Sequence, residues 1–149
     1  MRAGRNKACE MRHVDHQKST DFIRDLAAAL GFRIVSGGTD NHLMLVDVKV
    51  KGFNGKEVQD TLDHVKITVN KNMIPFDKES PFKGSGVRLG TPAVTTRGMG
   101  EAQMEEIAEL IDQTLKAPLD QTNLESVRKR VSVLTQKFPL YPELLDQYK

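Results

Sequence analysis

One short segment, LMLVDV from Leu43 to Val48, constrains the fold more than any other part of the chain. Successive side chains of a β-strand point to opposite faces of the sheet. Apolar residues occupy both sets of alternate positions in this segment, and only Asp47 interrupts them. We therefore predict a strand within residues 42–50 that is covered on both faces, in a chain built of packed layers.

Helical periodicity surrounds that strand. Local signals mark the helix ends: a glycine stop at Gly31 and capping boxes at Asn54–Glu57 and Thr122–Glu125. The predicted helices lie near residues 20–30, 55–65 and 101–116, and a last one follows residue 122. Further short strands are predicted at residues 32–35, 67–69, 87–89 and 93–95. This mixture indicates an α+β fold, in which helices cover one small, mainly antiparallel sheet.

Residues 70–86 form the longest segment without a regular pattern, and they include two prolines and two glycines. Loops longer than about 12–15 residues are uncommon in compact domains and are often functional. We therefore predict an irregular loop here and look for binding residues in and beside it.

Composition excludes several classes of function. Apolar residues make up 38% of the chain and charged residues 28%, as in a globular domain. A net charge of +2 and the absence of tryptophan argue against a nucleic-acid partner. No apolar run approaches the roughly 20 residues that a membrane span needs. The single cysteine, Cys9, suits a reducing compartment, so we expect a cytoplasmic protein.

The chain divides into a leader and one domain. Residues 1–16 contain few apolar positions and lack the apolar core of a secretory signal, so they remain an unassigned leader. Residues 17–149 are predicted to form a single domain, which is an ordinary size for one hydrophobic core.

Three apparent motifs predict no site. His13 and His16 lie three residues apart, but no further cysteine or histidine completes a metal set, so we predict no metal. The glycines from Gly84 to Gly90 have the wrong spacing for a dinucleotide fingerprint and follow a loop rather than a strand. Asp40 precedes the long strand, where hydrogen bonding within a turn explains it without catalysis.

Longer strings in the chain are more specific. TDNHL, TVNKN, SPF and SG-V-R-L-GTPA-V-TTRG follow one another between Thr39 and Gly98, and FPLYPEL follows near the C-terminus. In their order and spacing they resemble the C-terminal small domain of bacterial serine hydroxymethyltransferase, over most of residues 21–149. The resemblance implies the α+β small domain of fold-type I transferases that use pyridoxal phosphate (PLP). It also implies serine–glycine interconversion with one-carbon transfer to tetrahydrofolate.

Arg88 is the strongest candidate for a binding residue. It follows a glycine-rich bend and precedes Gly90-Thr-Pro92, so a tightly turned backbone presents its side chain. A guanidinium can hold a carboxylate through two parallel hydrogen bonds. A surface ion pair or a loop-bracing role is the alternative that the residues alone leave open. The resemblance implies that Arg88 binds the carboxylate of serine or glycine.

Asn72 is the second candidate, and Lys71 is its neighbour. An asparagine amide offers donors and an acceptor in one plane, which suits the edge of a pterin ring. Turn formation at a strand end is the alternative. The resemblance implies that Asn72 contacts the folate and that Lys71 is a partner for its anionic tail. Arg97 also matches the family, and we interpret it as structural.

The chain departs from the family in two respects. Lys83 and Gly84 replace the valine and threonine common in relatives, and the glycine predicts added backbone freedom just before Arg88. The PLP lysine and the remainder of the large domain have no counterpart in this sequence. We expect a truncated or split-gene fragment that is inactive and binds neither PLP nor folate alone, unless a large-domain chain completes it. The alternative is a non-enzymatic binding or regulatory module that docks on an intact family member.

Overall fold

The computed structural model describes residue 24, residues 27–28 and residues 30–141. Four strands form one antiparallel sheet in the order β1-β2-β4-β3. The strands are β1 (Arg33–Ile34), β2 (Leu43–Asp47), β3 (Asn70–Asn72) and β4 (Gly86–Gly90). The helices are α1 (Gly55–His64), α2 (Pro92–Thr96), α3 (Glu101–Lys116) and α4 (Gln121–Lys137). A 3₁₀ turn, Lys49–Lys51, follows β2. The predicted α+β fold with an antiparallel sheet is confirmed.

The two central strands, β2 and β4, have one covered and one open face. Met44, Val46 and Val87 are buried in the same core cluster as the apolar residues of the helices. Leu43 and Leu45, at the alternate positions of β2, are only partly buried. The prediction of a strand here is confirmed, but on its second face only Asp47 is buried, so the predicted cover of both faces is incomplete among the described residues.

The helices contribute the other side of the core through their apolar residues. Leu62 of α1, Met104 and Leu110 of α3, and Val127 of α4 are fully buried. The bounds of α3 agree with the predicted helix over residues 101–116. None of the helices that the structure describes is long and apolar enough to span a membrane.

One predicted capping box is confirmed and the other is wrong. Asn54 Oδ1 accepts a hydrogen bond from Glu57 N at 2.9 Å, and Glu57 Oε2 accepts one from Asn54 N at 2.9 Å. The last helix is capped by Asp120 and not by Thr122. Asp120 Oδ1 accepts from Thr122 N at 2.9 Å, which satisfies one of the free N–H groups in the first turn.

Two predicted strands are corrected. Residues 67–69 are not a strand; β3 begins at Asn70, because its pairing with β4 starts where Asn70 lies opposite Arg88. The strand therefore takes three residues from the predicted loop over 70–86. Residues 93–95 lie in helix α2, where Pro92 occupies the first helical position with the backbone angle that a helix needs.

The first predicted helix is described only in part. Residues 24, 27 and 28 are helical, Ala27 is buried and Leu30 lies in the turn that follows, while residues 20–23, 25, 26 and 29 and the leader over 1–16 lie outside the described residues. Gly31 has a φ of +82°, as expected of a glycine that ends a helix.

Candidate functional site

Arg88 lies on the open face of the sheet, at the middle of β4. Its Cα partners are Leu45 on β2 and Asn70 on β3, so it has a strand on either side. The neighbouring Val87 is buried on the helix side, and alternation sends Arg88 to the opposite face. Its side chain is exposed, and no described residue forms an ion pair or a hydrogen bond with the guanidinium.

Asn72 lies beside Arg88 on the same face. It ends β3 opposite Gly86, two residues before Arg88 on the adjacent strand. Both side chains line one open cavity. The Asn72 amide donates from Nδ2 to the carbonyl oxygen of Met73 at 2.8 Å, which holds the side chain. The structure thus brings these two predicted site residues together.

Lys71 does not join them. It occupies the alternate position of β3 and is not among the residues lining the Arg88 cavity. Its Nζ donates to the carbonyl oxygen of Phe82 at 2.7 Å, and its backbone N–H donates to Gln59 Oε1 at 2.9 Å. These contacts tie β3 to α1 and to the following connection.

The other wall of the cavity is a loop to which the sequence interpretation gave no binding role. Five of the eight residues between β1 and β2 line the cavity: Ser36, Gly38, Thr39, Asp40 and Asn41. Thr39 Oγ1 donates to the carbonyl oxygen of Leu43 at 2.6 Å, and Asn41 Oδ1 accepts from Leu43 N at 2.8 Å. The signal for this wall was present in the TDNHL string, but the string alone does not show which strand it faces.

The interpretation of Asp40 as a turn-forming residue is corrected. Its neighbours Thr39 and Asn41 make the hydrogen bonds that close the turn onto β2. The Asp40 side chain is exposed, and no described residue bonds to its carboxylate. Because short side chains on both sides already satisfy the turn, the Asp40 carboxylate remains available at the cavity wall.

The backbone just before Arg88 is held tightly, contrary to the freedom expected from Gly84. The N-terminus of α1 donates to it: Gly55 N to the Gly84 carbonyl at 2.8 Å, and Lys56 N to the Lys83 carbonyl at 3.0 Å. Gly84 has a φ of +63°, and a Cβ there would lie 2.6 Å from the carbonyl oxygen of Asn72. The lack of a side chain at Gly84 thus permits a close contact between the segment just before β4 and the Asn72 carbonyl on β3.

Asp77 fastens the connection between β3 and β4. Its carboxylate accepts from Ser85 Oγ at 2.6 Å and Ser85 N at 2.8 Å, and from the backbone N–H groups of Ile74 and Glu79. Partial burial raises the pKa of the Asp77 carboxyl, but these hydrogen bonds lower it by more, to about 2. Asp77 therefore stays ionised and anchors the start of β4.

Arg97 is structural, as predicted. Its Nη1 donates to the carbonyl oxygens of Phe138 at 2.8 Å and Thr135 at 3.4 Å, at the end of α4. These bonds satisfy carbonyl groups that a helix C-terminus leaves free.

The cavity is suited to an anionic ligand that hydrogen-bonds to two planar groups, the Arg88 guanidinium and the Asn72 amide. An unpaired guanidinium next to an amide side chain can orient a carboxylate and hydrogen-bond a neighbouring polar edge. None of the residues lining the cavity is a lysine, and the described residues contain no cluster of potential metal ligands. The cavity therefore offers groups that can bind a carboxylate and a neighbouring polar edge.

Comparison with known families gives a match. A family model described as Serine hydroxymethyltransferase matches residues 8–111, which is more than half of the chain and includes β1 to β4, Asn72 and Arg88. The match supports the resemblance inferred from the strings between Thr39 and Gly98.

Proposed function

Since this chain belongs to the serine hydroxymethyltransferase family, we propose that it supplies the amino-acid and folate contacts of a glycine hydroxymethyltransferase. Members of the family use PLP and folate in the full enzyme. In this proposal Arg88 binds the carboxylate of serine or glycine, and Asn72 contacts the tetrahydrofolate. The observation that carries the proposal is the unpaired guanidinium on the open face of the sheet, beside Asn72.

Arg88 acts in this proposal by orienting the amino acid. The two parallel hydrogen bonds of a guanidinium–carboxylate pair set the rotation of the substrate as well as its position. Orientation of this kind lowers a barrier by removing rotational freedom before the reaction. Because β4 is fixed on both sides by neighbouring strands, the Arg88 backbone gives the substrate a rigid reference.

In this proposal Asn72 contacts the second substrate. It lies on the strand next to Arg88, so a folate at Asn72 and an amino acid at Arg88 would be adjacent. A one-carbon transfer requires that proximity. Lys71 contacts Phe82 rather than the cavity, so contact with the folate tail would require its side chain to leave the Phe82 carbonyl.

The described residues of the cavity do not by themselves fit PLP. The cofactor is held covalently by a lysine in enzymes of this kind, and no lysine lines the Arg88 cavity. We therefore propose that these 149 residues are inactive alone and act with a large-domain chain that carries the lysine. A cytoplasmic setting is part of the proposal, because the single Cys9 suits a reducing compartment.

A reconstitution experiment tests this function. The chain is combined with the large domain of a family member, and serine–glycine interconversion is measured with PLP and tetrahydrofolate. Activity should require both parts. Arg88→Lys should lower kcat/KM by roughly 100-fold or more, because an ammonium group cannot form the two parallel hydrogen bonds of a guanidinium to a carboxylate.

The matched control is Arg128→Lys, the same exchange at an exposed position of α4 away from the cavity. It should leave the activity unchanged. Full activity of the Arg88→Lys enzyme would show that another residue holds the carboxylate. Activity of the 149-residue chain alone would contradict the need for a large domain.

A second function has one observation in its favour. The connection between β3 and β4 exposes Phe76 fully and Phe82 to 80%, and exposed apolar side chains of this size fit a contact with another protein. The domain would then be a regulatory module that docks on an intact family member. Co-purification with an intact homologue, lost in a Phe76→Ser, Phe82→Ser double variant, would favour this function.

A further inference from the structure

The Arg88 cavity contains two opposite charges that do not pair with each other. Arg88 lines it from β4, and Asp40 lines it from the loop before β2. No described residue forms an ion pair or a side-chain hydrogen bond with either group. A carboxylate and a guanidinium that line one cavity and remain unpaired among the described residues are available to a ligand that carries both charges.

The turn that carries Asp40 is hydrogen-bonded to β2, the strand that pairs with β4. Thr39 and Asn41, on either side of Asp40, both bond to the backbone of Leu43, the first residue of β2. Leu43 in turn lies opposite Gly90 of β4, two residues from Arg88. The turn that carries the carboxylate is thus fixed to the strand pair that carries the guanidinium, and binding groups on such rigid supports keep their geometry.

The chemistry of the two groups specifies the ligand. A guanidinium binds a carboxylate, and a carboxylate binds an ammonium group through charge-assisted hydrogen bonds. An α-amino acid at neutral pH carries both groups on the same carbon atom. We propose that Asp40 binds the ammonium group of the amino acid whose carboxylate Arg88 binds. Asp40 then makes the cavity selective for a zwitterion over a simple carboxylate.

This inference rests on the proposed function and adds a residue to it. Arg88 alone accepts any small carboxylate, because the guanidinium contacts only that group. Asp40 increases the affinity for a ligand with an amino group next to the carboxylate. It lowers the affinity for a ligand with a second anionic group, because the two negative charges repel each other. The amino acid would therefore be selected when it first binds, before its amino group reacts.

Binding of three small ligands to the 149-residue chain tests the inference. Glycine carries both charges, acetate only the carboxylate, and methylamine only the ammonium. Each is titrated at low ionic strength into the isotope-labelled chain, and amide shifts of residues 38–45 and 86–90 are followed by NMR. Because both groups face water, glycine affinity should be weak, with a Kd on the order of tens of millimolar.

The expected result is a preference for glycine that depends on Asp40. Glycine should bind roughly 3- to 5-fold more tightly than acetate. Asp40→Asn should remove that difference by weakening glycine while leaving acetate unchanged, and Asp40→Glu should restore part of it. Asp63→Asn is the matched control, since Asp63 is exposed on α1 and does not line the cavity; it should change neither affinity.

Three outcomes would overturn the inference. Equal affinity for glycine and acetate would show that Asp40 does not contact the amino group. Tighter binding of both ligands to Asp40→Asn would show that Asp40 is a counter-ion competing for Arg88. Absence of glycine binding up to about 100 mM would show that the two groups do not act together.

The proposed function fails separately from this inference. If Arg88→Lys leaves acetate binding unchanged, the carboxylate role of Arg88 is wrong. If Arg88→Lys weakens acetate and glycine alike while Asp40→Asn has no effect, the carboxylate role stands and only the role of Asp40 is wrong.

Discussion

The two faces of the small sheet use the same strands for different purposes. On the helix side, Met44, Val46 and Val87 are each no more than 3% exposed. On the open side, Arg88 is exposed and lines a cavity with Asn72. Because side chains alternate along a strand, the core residues and the proposed binding residues occupy alternate positions and can change independently. Substitutions on one side should therefore alter unfolding, and those on the other should alter binding.

The largest effect on stability is expected in the covered core. Leu62→Ala removes a side chain that is 0% exposed, and the cavity left behind should lower the free energy of unfolding by about 2–5 kcal/mol. Leu119→Ala is the matched control, since Leu119 is 89% exposed and should change stability by less than about 0.5 kcal/mol. Urea denaturation measures both. Similar values for the two variants would contradict the assignment of the core.

The next largest effect on stability is expected at Gly84, where the segment before β4 approaches Asn72 of β3. Gly84 and Gly37 both have positive φ, but only at Gly84 would a Cβ meet backbone, at 2.6 Å from the Asn72 oxygen. Gly37→Ala should cost about 1 kcal/mol for the left-handed backbone. Gly84→Ala should cost roughly 1–3 kcal/mol more, because Asn72 must shift. Equal costs in urea denaturation would show that the strands are not held together at this point.

Asp77 gives a smaller effect that depends on pH. Its pKa is lowered from 3.8 to about 2 in the folded chain, so its stabilising contribution is complete above 3.8 and is lost as the pH falls toward 2. Asp77→Asn should lose about 1–2 kcal/mol at neutral pH, because one amide oxygen cannot serve four donors. The variant should also lack this part of the acid dependence.

Thermal unfolding across this pH range measures the effect, and Asp63→Asn on the exposed side of α1 is the control. If wild type and Asp77→Asn lose stability in parallel below pH 3.8, the hydrogen bonds to Ser85 are not what lowers the Asp77 pKa.

The smallest effect on stability is expected at Arg88, the proposed binding residue. Arg88 has no partner among the described residues, so Arg88→Ala should change the free energy of unfolding by less than about 0.5 kcal/mol. The same chain should lose its affinity for acetate and glycine. A loss of stability above about 1 kcal/mol would show that the open face contributes to folding, and the contrast between the faces would fail.

Sequence patterns alone identified the elements whose signals are local. Helix α3 was predicted with its observed bounds because its apolar residues repeat with the period of a helix. The Asn54–Glu57 box was predicted because both partners lie within one turn. The strand β2 was visible in its β-branched and apolar run. Each of these signals arises from residues a few positions apart.

Tertiary structure decided the elements and contacts that depend on distant residues. The polar strand Asn70–Asn72 has no pattern of its own and exists because it pairs with β4. Asp120 rather than Thr122 caps the last helix, because Asp120 is the residue whose extended backbone precedes the first turn. Family resemblance named Arg88 and Asn72 but gave no role to Asp40.

Asp40 and Arg88 show why the site as a whole could not be read from the sequence. They are far apart in the chain. They line one cavity because antiparallel pairing brings the start of β2, which follows Asp40, next to the end of β4, which carries Arg88. The sequence determined which residues can bind a carboxylate or an ammonium group, because that is a property of each side chain. Only the register of the sheet decided which of those groups share one cavity, because register is a contact between segments that the local pattern does not contain.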